Sequence, residues 1–191
     1  GSLGIWLMTL VAAVPAPTTA QQGAGINWPA FRGPGSSGIA EGFATATTWN
    51  AETNDNVLWS TPIPGLSHSS PVVWGDRVFV TTAISSSNNS LRVGLYGDIN
   101  PVRDTSEHTW RVYALDKGSG AIVWERTVHT GVPAVMRHTK STHASTTMAT
   151  DGSRVIAYFG SEGLFAYDMD GELLWRKDLG VLDAGFYVVP E

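Results

Sequence analysis

The densest group of side chains able to do chemistry in this 191-residue chain is His138-Thr-Lys-Ser-Thr-His143, with His129 and Arg137 close by. Two histidines and a lysine on one loop can hold an anionic ligand or a metal ion, so His138, Lys140 and His143 form a candidate ligand loop. The His-x4-His spacing matches no common zinc signature, and no carboxylate falls inside the loop. Solvated, hydrogen-bonded loop groups are the plainer reading of the same residues. His68-Ser-Ser70 invites a Ser/His hydrolase reading, but neighbours on a strand point to opposite faces and no Gly-x-Ser-x-Gly elbow is present. Asp98 and Asp104 could offer oxygen ligands to calcium, without the Asp-Gly-rich spacing of a calcium loop. The sequence therefore nominates no catalytic, cofactor-binding or metal-binding residue.

Composition narrows the classes further. There is no cysteine, which removes disulfides, thiolate catalysis, Cys-based zinc sites and a lipid anchor through an N-terminal cysteine. The formal net charge is -5, and the twelve Lys and Arg are scattered, so no nucleic-acid partner is expected. Charged residues make up only 15%, and Gly, Ser, Thr and β-branched residues are plentiful, as in an all-β protein.

The elements that must position any site read as follows. Residues 3–14 are an apolar run of secretory length, followed by prolines and Thr18-Thr19-Ala20, a small-x-small cleavage pattern. The run is too short to span a membrane. Residues 1–20 are thus expected to be a partial signal peptide, and the mature chain to be periplasmic or secreted. Residues 21–56 read as an extended lead-in whose Trp28 and Phe31 dock on the body. From residue 57 the chain alternates strands and turns. Val57–Ile63 is expected as a lone first strand, and Ser69–Trp74 with Val78–Ile84 as a hairpin on Gly75-Asp76. After an insertion loop over 85–108, Thr109–Asp116 and Ala121–Val128 form a second hairpin. A long connection over 129–143 leads to Ala144–Thr150 with Arg154–Gly160, then Gly163–Asp168 with Glu172–Leu179.

Two of these units repeat. Ala114-x-Asp116-x-x-Ser119-Gly120-x-x-x-Trp124 returns one residue shorter as Ala166-x-Asp168-x-Asp170-Gly171-x-x-x-Trp175. Trp59, Trp124 and Trp175 each close a unit, 65 and 51 residues apart. A four-stranded propeller blade takes about 40–45 residues, and the two long loops account for the excess. The expected fold is all-β, a partial β-propeller of four-stranded antiparallel blades with tryptophan-docking repeats. Residues 57–191 would form the blades, as an N-terminal fragment of a longer propeller.

The repeat resembles the tryptophan-docking motif of pyrroloquinoline-quinone-type propeller repeats, with Ser119 where Thr is usual. Trp28-Pro-Ala-Phe-Arg-Gly-Pro34 and Gly65-Leu-Ser-His-Ser-Ser-Pro-Val-Val-Trp-Gly-Asp-Arg77 resemble exported bacterial proteins similar to the outer-membrane assembly propeller lipoprotein. The resemblance implies that Trp59, Trp124 and Trp175 dock on neighbouring blades. It implies that Ala114, Asp116 and Gly120, and likewise Ala166, Asp168 and Gly171, shape the receiving turns. It implies no residue-level activity. Quinoprotein dehydrogenases of this fold use an adjacent cysteine pair, and the assembly lipoprotein a lipidated cysteine; this chain has neither. The function expected is a non-catalytic binding or scaffolding module with an envelope-protein or small-molecule partner. The alternative is part of a quinone-dependent dehydrogenase, and only there would pyrroloquinoline quinone and calcium enter.

Overall fold

The computed structural model describes residues 27–42, 46–87, 90–91 and 101–181. The expected signal peptide, Asp98 and residues 182–191 lie outside the described residues.

Two four-stranded antiparallel sheets carry the structure. The first contains β1 (Val72–Trp74), β2 (Arg77–Ser85), β4 (His108–Asp116) and β5 (Ile122–Gly131), in that order. The second contains β7 (Ala149–Thr150), β8 (Arg154–Tyr158), β9 (Leu164–Asp168) and β10 (Leu173–Lys177), again neighbour beside neighbour. Each is an up-and-down meander, with one long excursion between β2 and β4 in the first, and each is the four-stranded blade expected from the repeat. The β2–β4 register is unbroken from Arg77 opposite Asp116 to Ser85 opposite His108.

The blades meet face to face. Val72, Phe79, Trp110, Val112, Ala114 and Trp124 from the first pack with Met148, Val155, Ala157, Phe165 and Tyr167 from the second in one buried cluster. Because side chains alternate along a strand, Tyr113 and Leu115 point away from this seam, yet they are buried too. The segment before β1 continues the β1 edge of β2, where Leu66 bridges Ala83, and touches the other face where Thr82 Oγ1 donates to Pro64 O at 2.7 Å. Cover on both faces explains why apolar and polar residues do not alternate cleanly in β4.

Four expectations are corrected. Residues 57–63 are extended but form no strand, since among the described residues no sheet edge runs beside them to complete a ladder. Residues 144–148 also stay outside the sheet; their polar groups turn instead to the stretch before β1, with Ser70 N donating to Thr147 Oγ1 at 3.0 Å. The two long loops are not separate connections. Pro101–Val102 (β3) and Arg137–His138 (β6) pair antiparallel and tie the loops together. Finally, Phe31 is 60% exposed, so Trp28 alone anchors the lead-in.

That anchor joins both blades through backbone. Trp28 exchanges two hydrogen bonds with Val73 of β1, at 2.7 and 2.9 Å, and Pro29 O accepts from Thr150 N of β7 at 2.8 Å.

Candidate functional site

The tryptophan docks are built from a carboxylate, a glycine and one free carbonyl. In the first turn Asp116 Oδ1 accepts from Ser119 N and Ser119 Oγ, both at 2.8 Å, which closes the loop over the backbone. Gly120 then takes φ 73°, exposing a flat patch of backbone. The Trp59 ring lies on that patch so closely that a Cβ on Gly120 would sit 2.4 Å from Cε3, and its indole N–H donates to Lys117 O at 2.8 Å. The second turn repeats the device with one residue fewer. Asp168 Oδ1 accepts from Asp170 N and Glu172 N, Gly171 has φ 84°, and Trp124 Nε1 donates to Met169 O at 2.9 Å. In both cases the acceptor is the carbonyl one residue after the aspartate.

The alanines have a matching reason. Trp124 stands opposite Ala114 and Trp175 opposite Ala166, each just past a bulge in the last strand. The bulge swings the indole towards the next blade. Ala114 and Ala166 are fully buried beneath their tryptophans' strands, where only a small side chain fits. Trp59 and Trp124 are thus docked. Trp175 occupies the equivalent position but is 40% exposed, and among the described residues no turn receives it.

Two parts of the fastening escaped the sequence reading. The residue two after each docked tryptophan donates to the carbonyl of the docking glycine: Thr61 Oγ1 to Gly120 O at 2.6 Å, and Arg126 Nε to Gly171 O at 2.7 Å. Trp74, at the end of β1, packs on Gly152 (φ 83°) of the β7–β8 turn, where a Cβ would fall 2.2 Å from the ring. Trp74-Gly-Asp-Arg and Thr150-Asp-Gly-Ser are the same hairpin in successive units, so the second contact joins equivalent positions.

The polar cluster lies where the two long loops meet. Asp104 accepts from Ser85 Oγ at 2.7 Å, from Ser87 Oγ at 3.2 Å and from Ser106 N at 3.0 Å, and stands 3.7 Å from His108 Nε2. Burial alone would raise its carboxyl, but these hydrogen bonds and His108 hold it well below the usual carboxylate range. His108 Nδ1 donates to Ser106 O at 2.9 Å, so Nε2 is the nitrogen that faces Asp104. Ser85, Asp104 and His108 do not form a hydrolytic relay, because the serine hydroxyl is spent on the carboxylate.

Around Trp110 three imidazoles gather: His108, His129 and His143, at ring-centroid distances of 5.6, 5.2 and 6.1 Å. The Trp110 indole donates to His143 O at 3.1 Å. Burial, with His108 and Arg137 adding repulsion against the pull of Asp104, lowers the His143 imidazole to about 4. It is therefore neutral near pH 7. The candidate ligand loop is thereby divided. His143 turns inward, His138 pairs in β6 and accepts from Lys140 N at 3.0 Å, and Lys140 is exposed. His138 and His143 line a cleft of about 250 Å³ with Arg137, Thr142, Ser145 and Glu162, while Lys140 is not part of it. Glu162 is engaged by Ala134 N at 2.9 Å and by His129 Nε2 at 3.3 Å. Among the described residues no three His, Asp or Glu converge as a metal site would need. His68 is exposed and outside the strands; its backbone N–H donates to Ala144 O at 3.2 Å.

Blades fastened by an Asp–Gly turn under the tryptophan of the preceding unit define a propeller-repeat protein. The family model described as outer membrane protein assembly factor BamB matches residues 5–177, and the chain belongs to that family. A search of the curated proteins finds no match. Among the described residues no helix is long and apolar enough to cross a membrane.

Proposed function

We propose that this chain is an exported binding or scaffolding module of the cell envelope, without catalysis of its own, whose partner is another envelope protein. The observation that carries this reading is the pairing of β3 with β6, which joins the long loop inside the first blade to the connection between the blades in one continuous surface. Long connections cost ordering entropy, and pairing them across two repeats makes sense when they present a surface rather than merely join strands. Membership of a family named for an outer membrane assembly factor supports the same direction. The apolar run and cleavage pattern at residues 3–20 support export.

The test is affinity capture from envelope extract with tagged, folded chain, alongside a copy carrying Lys140→Glu on the exposed loop. The expected result is one or a few envelope proteins enriched by the unmodified chain and lost with the charge reversal. Fusing residues 1–22 to a reporter active only after export checks localisation, and retention in the cytoplasm would sink that part. Titration with calcium and pyrroloquinoline quinone should leave the absorbance of the quinone unchanged. A red-shifted, saturable spectrum would instead support the dehydrogenase reading.

A further inference from the structure

Arg137 is the one feature of the loop surface that the scaffold reading leaves unexplained. It lines the 250 Å³ cleft and is only 8% exposed. A guanidinium carries five N–H donors. Among the described residues it makes one hydrogen bond, Nη1 to Ser141 O at 2.9 Å. The carboxylate whose charge acts on it, Asp104, is itself held by three serines and His108. Buried cations are normally paired and fully hydrogen-bonded, because burial strips away the water that would otherwise solvate them. Here the residue borders a cavity.

We propose that this cleft is a binding site for a single carboxylate group, held by the Arg137 guanidinium and bordered by His143, Thr142 and Ser145. A planar carboxylate matches the guanidinium fork with two parallel hydrogen bonds. The charge balance favours a monoanion. One guanidinium supplies one positive charge, His143 is neutral, and Glu162 on the cleft wall already carries a negative charge next to His129. A phosphate dianion would face Glu162 and Asp104 with only one cation to offset it. The carboxylate could belong to a free small acid or to a peptide chain, and both present the same group.

Calorimetry on the unmodified chain distinguishes these. Propionate is expected to bind with one-to-one stoichiometry and propionamide not at all. Inorganic phosphate is expected to bind at least about tenfold more weakly than propionate. A short peptide with a free C-terminus, compared with its amide, reads the source: tighter binding than propionate assigns a protein partner, and equal or weaker binding assigns a small acid. Arg137→Gln should weaken propionate by about tenfold or more, while Arg154→Gln, on an exposed pair with Asp151, should leave it unchanged. If Arg137→Gln does not fold, Arg137→Lys keeps the charge without the fork and should still weaken binding. No carboxylate binding by the folded chain, phosphate binding as tight as propionate, or full binding in a folded Arg137 variant overturns the proposal. The outcome is independent of export and of envelope capture, so failure here leaves the scaffold reading standing.

Discussion

The tryptophan docks and the loop cluster fasten the molecule by opposite means. The docks at Trp59, Trp74 and Trp124 use flat rings, positive-φ glycines and, for Trp59 and Trp124, a backbone carbonyl. They are repeated, nearly free of titrating groups at the contact itself, and written within a dozen residues of sequence. The loop cluster uses Asp104, His108, Arg137 and His143, is present once, and brings together residues from two separate connections. One end of the molecule is therefore architecture that any unit could carry. The other occurs once among the described residues and gathers groups that titrate.

The sharpest way to break the comparison is to add a side chain under a docked ring. Gly171→Val places a branched Cβ where the ring lies 2.7 Å away and forces φ 84° on a β-branched residue. A loss of about 3–6 kcal/mol is expected from strain and overpacking, read by urea denaturation. An unchanged midpoint would mean the ring does not rest on the turn. Trp124→Ala removes the ring instead, and should cost about 3–5 kcal/mol while lowering the melting temperature. The two substitutions touch the same contact, so their combination should cost less than their sum.

The loop cluster should begin to respond to acid at a higher pH than the docks, whose Asp116 and Asp151 carboxyls are held below the usual carboxylate range by hydrogen bonds within their turns. His143 titrates near 6.5 when unfolded and near 4 when folded, so the unfolded chain binds the proton first. Its stabilising contribution is full above pH 6.5 and declines as pH falls towards about 4. Asp104, held low by its hydrogen bonds, adds a further loss below the ordinary carboxylate value. Melting curves between pH 8 and 4 should show this decline, and His143→Gln should flatten the upper part of it. A profile identical in both proteins would remove His143 as the cause. The smallest effect is expected for Trp175→Ala. With 40% of that residue exposed and no receiving turn among the described residues, the cost should stay below about 1–2 kcal/mol in this chain. A loss as large as that of Trp124→Ala would show that Trp175 is docked in solution.

Much of the architecture was legible because its signals are local. An aspartate that closes its own turn, a glycine that must take positive φ and a tryptophan four residues later lie within a single hairpin, and the second copy confirms the period. Docking itself followed from resemblance, and its atomic basis, an indole N–H on the carbonyl after the aspartate, did not. Trp74 on Gly152 was missed because its partner lies in the next unit, at no fixed spacing. The lone strand over 57–63 failed because strand residues form a strand only where a neighbour supplies the ladder. Of the candidate loop, the pattern singled out His138, Lys140 and His143; it offered Asp104 only as an oxygen ligand for calcium and passed over His108, both some thirty residues upstream in a stretch with no periodicity.

The sequence by itself determined the class of the fold: turn chemistry and strand composition are set by neighbours in the chain, and a repeat states them twice. Only the tertiary structure decided which polar residues meet. Asp104, His108, Arg137 and His143 come together because two connections of unrelated sequence pair as β3 and β6. That pairing rests on long-range backbone hydrogen bonds, which leave no spacing in the chain from which it could be read.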